Sequence, residues 1–429
     1  MSPTTGPRTD EVARTLEAVW RMEAAKVTAV VARLVGDVGL AEDLAQDAFV
    51  QALEQWPRDG IPHKPGAWLT ATARRRAIDR IRRDVNLASK LQQVGHLEEL
   101  RVAELAEGDF DAALEDIDDD VLGLIFAACH PALTAQARIS LTLRMIGGLT
   151  TREIARAFLT TESTVAQRIS RAKKTLSQDG VTVQIPSGAE LAPRLASVLE
   201  VVYLIFNEGY AATSGRDWVR GDLMEEAIRL GRVLSALAPR EPEVHGLLAL
   251  MEIQASRTRA RIGRDGEAVL LLDQDRTQWD WALIRHALAA LDRAVSLLDP
   301  AQDAAGPYVL QAAIAACHAR ARTAGATDWA RIVALYGQLG VIRPSPVIDL
   351  NRAVALSYAE GPAAALEVVD GLVASGDLAD YHLLPSVRGD LLARLGRDAE
   401  ARAEFARAAE MTQNDAERAL LRRRAAGHV

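Results

Sequence analysis

The stretch Leu149–Leu176 constrains this chain more than any other. Thr150 and Glu153 have the spacing of a capping box, a hydroxyl three residues ahead of a carboxylate, which predicts a helix start. Ile154, Ala155 and Phe158 give that short helix one apolar side. Polar residues then interrupt the pattern, and Val165, Ile169, Ala172 and Leu176 recur at spacings of four, three and four. That rhythm predicts a second helix with one buried face. Its other face carries Ser163, Thr164, Gln167, Arg168 and Arg171, with Lys173 and Lys174 following. Two helices joined so tightly, the second polar and basic, form a helix-turn-helix whose second helix has the side chains of a major-groove reader. DNA is the default partner.

The overall charge argues the other way. The formal net charge is −8 and the sequence pI is about 5.6, so bulk electrostatics repel DNA. A DNA-binding chain of this kind must cluster its cations. The densest positive run is Arg74-Arg75-Arg76-Ala-Ile-Asp79-Arg80-Ile-Arg82-Arg83. Taken alone it reads as a solvated helix face; with a helix-turn-helix downstream it reads as a second nucleic-acid contact.

Abundant Ala, Leu and Arg, few aromatics (4%) and a near absence of β-branched runs between turn residues predict an all-α fold. No apolar run is long enough to span a bilayer, and Met1–Asp10 lacks the apolar core of a signal peptide, which points to a cytoplasmic protein without a membrane partner. Cys129 and Cys317 each precede a histidine, His130 and His318. Neighbouring helical residues point about 100° apart and chelate poorly, so two core thiols are expected and no metal. Phosphate-cradling glycine loops, His-Glu-x-x-His and Gly-x-Ser-x-Gly are absent. The expectation is no enzyme and no cofactor.

Four blocks follow along the chain. Residues 9–84 hold helices expected at Val12–Leu34, Ala41–Gln55 and Ala67–Arg83. Residues 85–117 form an acidic linker, leading into a patch at Asp109, Asp111, Glu115, Asp116, Asp118, Asp119 and Asp120. Residues 118–180 end in the helix-turn-helix, and Gly180–Gly188 is a break with β-like alternation. Residues 189–427 are helical throughout and carry a faint repeat. Gly389, Ala401, Phe405 and Ala408 recur as Ala353, Ala365, Val369 and Leu372, an offset of 36. Small, small and bulky at these intervals is the packing signature of tetratricopeptide-like helix pairs, so the block is expected to be an α-solenoid.

The first block sharpens the functional reading. Ala41–Val50 is an amphipathic helix with Leu44, Ala48 and Phe49 inward and Asp43, Gln46 and Asp47 outward. Trp68-Leu69, Ala73-Arg74 and Ala77-Ile78-Asp79-Arg80-Ile81-Arg82-Arg83 follow it. In this order, and with the terminal helix-turn-helix, residues 10–180 resemble sigma-70-type RNA polymerase initiation factors of the two-domain extracytoplasmic-function (ECF) class. The resemblance implies an alternative sigma factor that binds the β′ and β subunits of core RNA polymerase and promoter DNA. It implies that Asp43, Gln46, Asp47 and Phe49 dock on the β′ clamp helices, and that Arg74, Arg75, Arg76, Asp79, Arg80, Arg82 and Arg83 engage the −10 region. Ser163, Thr164, Gln167, Arg168, Arg171, Lys173 and Lys174 are then the −35 reading set. Guanidinium groups suit both phosphates and guanine edges.

Two positions depart from the family pattern: Arg75, where Asn is frequent, and Leu159, where the turn usually has Gly. The long tail resembles the subgroup with a tetratricopeptide-like extension. Its motif is Val202–Tyr210, with Tyr203, Asn207, Glu208, Gly209 and Tyr210, where Asn207-Glu208-Gly209 is expected to form a turn. Concave helical repeats bind proteins or peptides, so a fused regulatory module with such a ligand is expected. The alternative is a helix-turn-helix regulator that senses a ligand or partner through its repeats; that reading leaves the Asp43–Phe49 and Arg74–Arg83 helices without a purpose.

Overall fold

The computed structural model describes residues 9–90, 117–158, 160–212, 221–261, 263, 269–299, 304–412 and 415–427. Leu159, Asp109, Asp111, Glu115, Asp116 and most of the expected linker lie outside the described residues. All regular secondary structure within them is helical. The chain divides into two compact units, Met1–Ile205 and Phe206–Val429.

In the first unit, α1 (Thr9–Val35), α2 (Val38–Asp59) and α3 (Pro65–Lys90) pack on one another. Helix α2 starts where the Asp37 carboxylate accepts the Leu40 N–H at 2.7 Å, and it ends at Gly60 after Pro57. Its Ala41, Leu44, Ala45, Ala48, Ala52 and Trp56 recur at helical spacing and are buried against Leu16 and Trp20 of α1 and Leu69, Ala73 and Ala77 of α3. A second group follows: α4 (Ile117–Ala128), α5 (Ala135–Met145), α6 (Thr151–Ala157) and α7 (Glu162–Gln178). Burial in it centres on Phe126, Leu141, Leu143, Ile154 and Leu176. Gly148, just before α6, has φ +68° and lies against α1; a Cβ there would sit 3.2 Å from the Arg21 Cα. Only glycine combines that dihedral with that approach.

Gly180–Gly188 forms no strand; a lone alternating segment has no partner ladder to join. Helix α8 (Leu191–Ala212) follows, and the first unit ends within it. Its early turns pack on the second group. Ser197 Oγ donates to the Cys129 carbonyl at 2.6 Å, Arg194 to the Phe126 carbonyl at 2.8 Å, and Arg138 to both Ser197 and Glu200. The turn expected at Asn207-Glu208-Gly209 is helix instead. Val198, Val202, Ile205, Phe206 and Gly209 are all buried and carry one helical stripe through it. A helical glycine costs only about 1 kcal/mol relative to alanine, less than the stripe gains.

The second unit is a chain of helices: α9 (Gly221–Leu237), α10 (Pro242–Ser256), α11 (Trp281–Ser296), α12 (Pro307–Arg320), α13 (Trp329–Ile342), α14 (Pro346–Ala359), α15 (Pro362–Ser375), α16 (Leu383–Arg394), α17 (Asp398–Met411) and α18 (Asp415–Ala425). From α12 onward each packs on the next, as a solenoid requires. The repeat is a packing fact. Ala353, Ala365, Val369, Ala401, Phe405 and Ala408 belong to one buried cluster, with Leu372 at its edge. Gly389 lies where α16 meets α17: a Cβ there would sit 2.8 Å from the Phe405 ring and 3.2 Å from the Ala401 carbonyl. Four of these helices (α10, α12, α14 and α15) begin with proline, whose missing N–H is unneeded in the first turn.

Candidate nucleic-acid interface

Both helices of the helix-turn-helix are capped by threonine hydroxyls. The Thr150 side chain accepts the Glu153 N–H at 3.1 Å, and the Glu153 carboxylate accepts the Thr150 N–H at 2.8 Å, completing the capping box. Burial opposes the charge on Glu153, but the Thr150 donors and Arg21 more than offset it and hold the carboxyl below its ordinary value. Thr161 accepts the Thr164 N–H at 3.2 Å and starts α7. Val165, Ile169, Ala172 and Leu176 form the buried seam of α7.

The outer side of α7 is open. Gln167, Arg171 and Lys174 are exposed and Arg168 is half-exposed, all within one arc of the helix. None of the four has a hydrogen-bond or ionic partner among the described residues. Ser163 and Thr164 share hydrogen bonds with the Thr161 hydroxyl at 2.9 and 2.7 Å. Lys173 is placed differently. It flanks the seam, donates to Asp43 at 2.8 Å, and also contacts Glu42. Burial disfavours its charge, but the two carboxylates outweigh that and raise its pKa above the usual lysine value.

The α2 residues divide likewise. Asp43 and Asp47 are exposed one turn apart, and Gln46 is half-exposed. Asp43 is taken by Lys173 and Asp47 by Arg76 at 3.2 Å. Phe49 is half-buried, its ring 5.0 Å from that of Trp20, so it supports the α1–α2 packing. On α3, Arg76 also donates to Gln51, Arg80 pairs with Asp84 at 2.9 Å, and Arg83 donates to the Asp79 carbonyl. Arg75 and Arg82 are exposed with no side-chain partner among the described residues, while Arg74 is half-buried and engaged.

Glu42, Arg144 and Arg21 were not singled out in the sequence. Glu42 is buried, with Arg144 Nε at 2.9 Å on one oxygen and Lys173 on the other; Arg21 pairs with Glu153. The available signal is that Glu42 interrupts the inward stripe Val38, Ala45 and Phe49, and a carboxylate on such a stripe needs partners. Cys129 is fully buried against Thr142, and burial pushes its thiol up to about 11, which makes it a core group without nucleophilic character. Of the extension motif, Tyr203, Asn207 and Glu208 are half-buried and Gly209 is buried. Tyr210 stacks on Phe206 at 5.5 Å and carries the Arg261 guanidinium 3.8 Å from its ring centre.

Two separate cationic helices, one beside an acid-bearing helix and the other inside a helix-turn-helix, define a helical DNA-binding factor of bipartite design. Comparison with protein families agrees. Residues 19–86 match sigma-70 region 2, residues 124–176 match sigma-70 region 4, and residues 194–295 match a family of unknown function (DUF6596). An uncharacterised protein, R00370, of Rhizobium meliloti (strain 1021) is 45% identical over 392 residues, 91% of this chain and 90% of its own. The probable ECF RNA polymerase sigma factor SigI of Mycobacterium tuberculosis is 26% identical over 177 residues, 40% of this chain and 57% of its own length. The ECF RNA polymerase sigma factor SigK of Mycobacterium ulcerans is 30% identical over 164 residues, 35% of this chain and 78% of its own. No solved structure matches. The chain belongs to the ECF sigma factors of the sigma-70 family and carries a C-terminal extension. It is an alternative sigma factor directing transcription initiation, with core RNA polymerase and promoter DNA as partners.

Proposed function

We infer that residues 9–84 dock on core polymerase and engage the −10 region, that residues 118–180 read the −35 element, and that residues 85–117 are the tether. The observation that carries this reading is the unoccupied basic arc of α7, where Gln167, Arg168, Arg171 and Lys174 stand clear above a fully packed seam. Thr164 and Ser163 sit at the amino end of that arc, where backbone and hydroxyl groups meet phosphates. On α2, Asp43, Gln46 and Asp47 supply the polymerase contact, with Phe49 acting from behind by holding the helix in place. On α3, Arg75 and Arg82 are the free cations for single-stranded −10 DNA; Arg76, Arg80 and Arg83 join after exchanging their present partners Asp47, Asp84 and the Asp79 carbonyl, and the half-buried Arg74 flanks them. Exposed pairs of this kind are worth at most about 1 kcal/mol and exchange readily.

Lys173 and Asp43 occupy each other in the free protein. Docking of Asp43 on polymerase therefore competes with Lys173, and phosphate contact by Lys173 competes with Asp43. The extension, residues 189–427, regulates this machinery in cis; Tyr203, Asn207, Glu208, Gly209 and Tyr210 hold its first helix to its own core, and a protein or peptide ligand on its repeats would set the output. The protein acts in the cytoplasm and is not an enzyme; among the described residues no helix is long and apolar enough to cross a membrane.

The test is reconstitution. Full-length protein should co-purify with core RNA polymerase and give promoter-specific run-off transcripts, and Asp43→Lys with Asp47→Lys should weaken core binding without loss of helicity. Unchanged core affinity of that variant removes the docking assignment.

A further inference from the structure

The second unit holds a cavity of about 590 Å³ between α11, the end of α12 and the turn at Arg276–Gln278. Small-molecule sites span about 300–1,000 Å³. Trp281, Ile284, Arg285 and Leu288 of α11 line it, at positions i, i+3, i+4 and i+7, so one helix face forms the wall. Arg276, Arg320 and Arg322 complete the ring, and no carboxylate lies among the lining residues.

Packing explains only one of these four arginines. Arg276 is buried; its guanidinium donates to the His318 carbonyl at 2.7 Å and to the Ala321 carbonyl, satisfying the last turn of α12. Its second terminal nitrogen is buried without a hydrogen-bond partner among the described residues. Arg320 has one exposed pair, with Asp292 at 3.3 Å, which contributes little. Arg285 and Arg322 are exposed and have no partner among the described residues. The nearby Asp275 carboxylate is committed to Thr277 and Gln278. Like charges lining one cavity repel, and Arg285 and Arg322 make no hydrogen bond or ion pair among the described residues to offset that repulsion. Beside them Trp281 donates its indole N–H to the Arg276 carbonyl at 3.1 Å and lies against Trp279, which fixes the ring while 39% of the residue stays exposed at a cationic rim. A bare solvated arginine face does not call for that ring, and a purely apolar groove does not call for those guanidiniums.

We propose that this cavity binds a small organic oxyanion carried on an apolar body, with Arg285 and Arg322 taking the anion and Trp281 and Leu288 taking the body. The planar forks of arginine match carboxylate and phosphate oxygens in pairs, and an aromatic face suits a flat ligand. Arg276 supplies fixed positive potential from below, since its contacts with α12 prevent it from turning away. This assignment stands on the cavity alone and goes beyond the promoter-reading function, so either can fail without the other.

The experiment is calorimetry on the full chain with naphthoate, its neutral carboxamide, inorganic phosphate and a glutamate hexapeptide. Naphthoate should bind saturably, one per chain, and at least about tenfold more tightly than the carboxamide or phosphate. Arg285→Gln combined with Arg322→Gln should weaken naphthoate at least about tenfold while leaving the thermal melt in place, because both side chains are exposed and neither has a hydrogen-bond or ionic partner among the described residues. Absence of saturable binding, equal affinity for the neutral carboxamide, or an unchanged affinity in the double variant overturns the proposal. Phosphate as tight as naphthoate overturns the role of Trp281 and Leu288. A hexapeptide tighter than naphthoate assigns the cavity to acidic protein segments and overturns it as well.

Discussion

Lys173 on α7 donates to Asp43 on α2 at 2.8 Å, and the neighbouring Glu42 lies buried between Lys173 and Arg144. Glu42 is the hub, since each of its oxygens takes one cation. Removing a hub strands charges, whereas removing one spoke leaves the hub partnered. Glu42→Ala is therefore expected to cost about 3 kcal/mol and Lys173→Met clearly less. Hydrogen exchange in α2 and α7 reads the difference; equal or inverted losses would sink the hub assignment.

Promoter reading separates two kinds of cation. Arg168→Ala should lose about 1–3 kcal/mol on the preferred −35 element and flatten the preference at one or two base pairs. Lys174→Ala should weaken all sequences evenly and reduce the salt slope by about one. Binding to a panel of single-base promoter variants at two salt concentrations distinguishes them. If Arg168→Ala behaves like Lys174→Ala, it contacts only the backbone.

His318 makes the second unit sensitive to acid. Burial, with help from Arg257 and Arg276, lowers its pKa from the ordinary 6.5 to about 4. A histidine depressed in the folded state favours folding while neutral, so stability is fully present above pH 6.5 and drains away as pH falls toward 4. The loss is on the order of 3 kcal/mol. His318→Phe keeps the edge-on contact with Trp329, whose ring centre lies 5.2 Å away, and should flatten this dependence. Exchange rates of α12 amides across that window, corrected for intrinsic chemistry, provide the measurement.

Gly389→Ala should destabilise the solenoid although alanine is the better helix former. Intrinsic propensity favours alanine by about 1 kcal/mol. The added methyl, however, meets the buried Phe405 ring at 2.8 Å and a backbone carbonyl at 3.2 Å, and overpacking costs about 1–3 kcal/mol. A lower melting temperature, partly restored by Phe405→Leu, is the expected outcome; a stabilised single variant would show that α16 and α17 separate freely.

Cutting the chain tests the extension. Ser197, Glu200 and Arg194 pack on α4 and α5, so a stop after Ser187 strips that surface while a stop after Ala212 keeps it. The shorter fragment should aggregate or melt earlier. The longer one should stay folded and give altered run-off transcription at matched core-enzyme occupancy. Identical transcription from it and from the full chain would leave the extension without a role in initiation.

The helix-turn-helix was legible because its two devices are local. A capping box and a seam of four residues specify helices within a few turns, and Thr150, Glu153 and the Val165–Leu176 stripe stand as read. What escaped depends on distant neighbours. Lys173 resembles Lys174 in sequence, yet one step of 100° moves it from the open arc to the edge of the seam, where α2 waits. Glu42 resembles its exposed neighbour Asp43 for the same reason. Asn207-Glu208-Gly209 has turn composition, and only the burial of residues on either side of it keeps the helix going. The cationic cavity of the second unit was invisible because its arginines come from three separate segments.

The seam through Ala353, Ala365 and Val369 and the seam through Gly389, Ala401 and Phe405 are copies of one pattern, 36 residues apart. A recombination event between the two copies would add or delete a whole helical pair and leave a working joint behind. The tail can thus change length in inheritable steps while the promoter-reading half of the gene stays untouched.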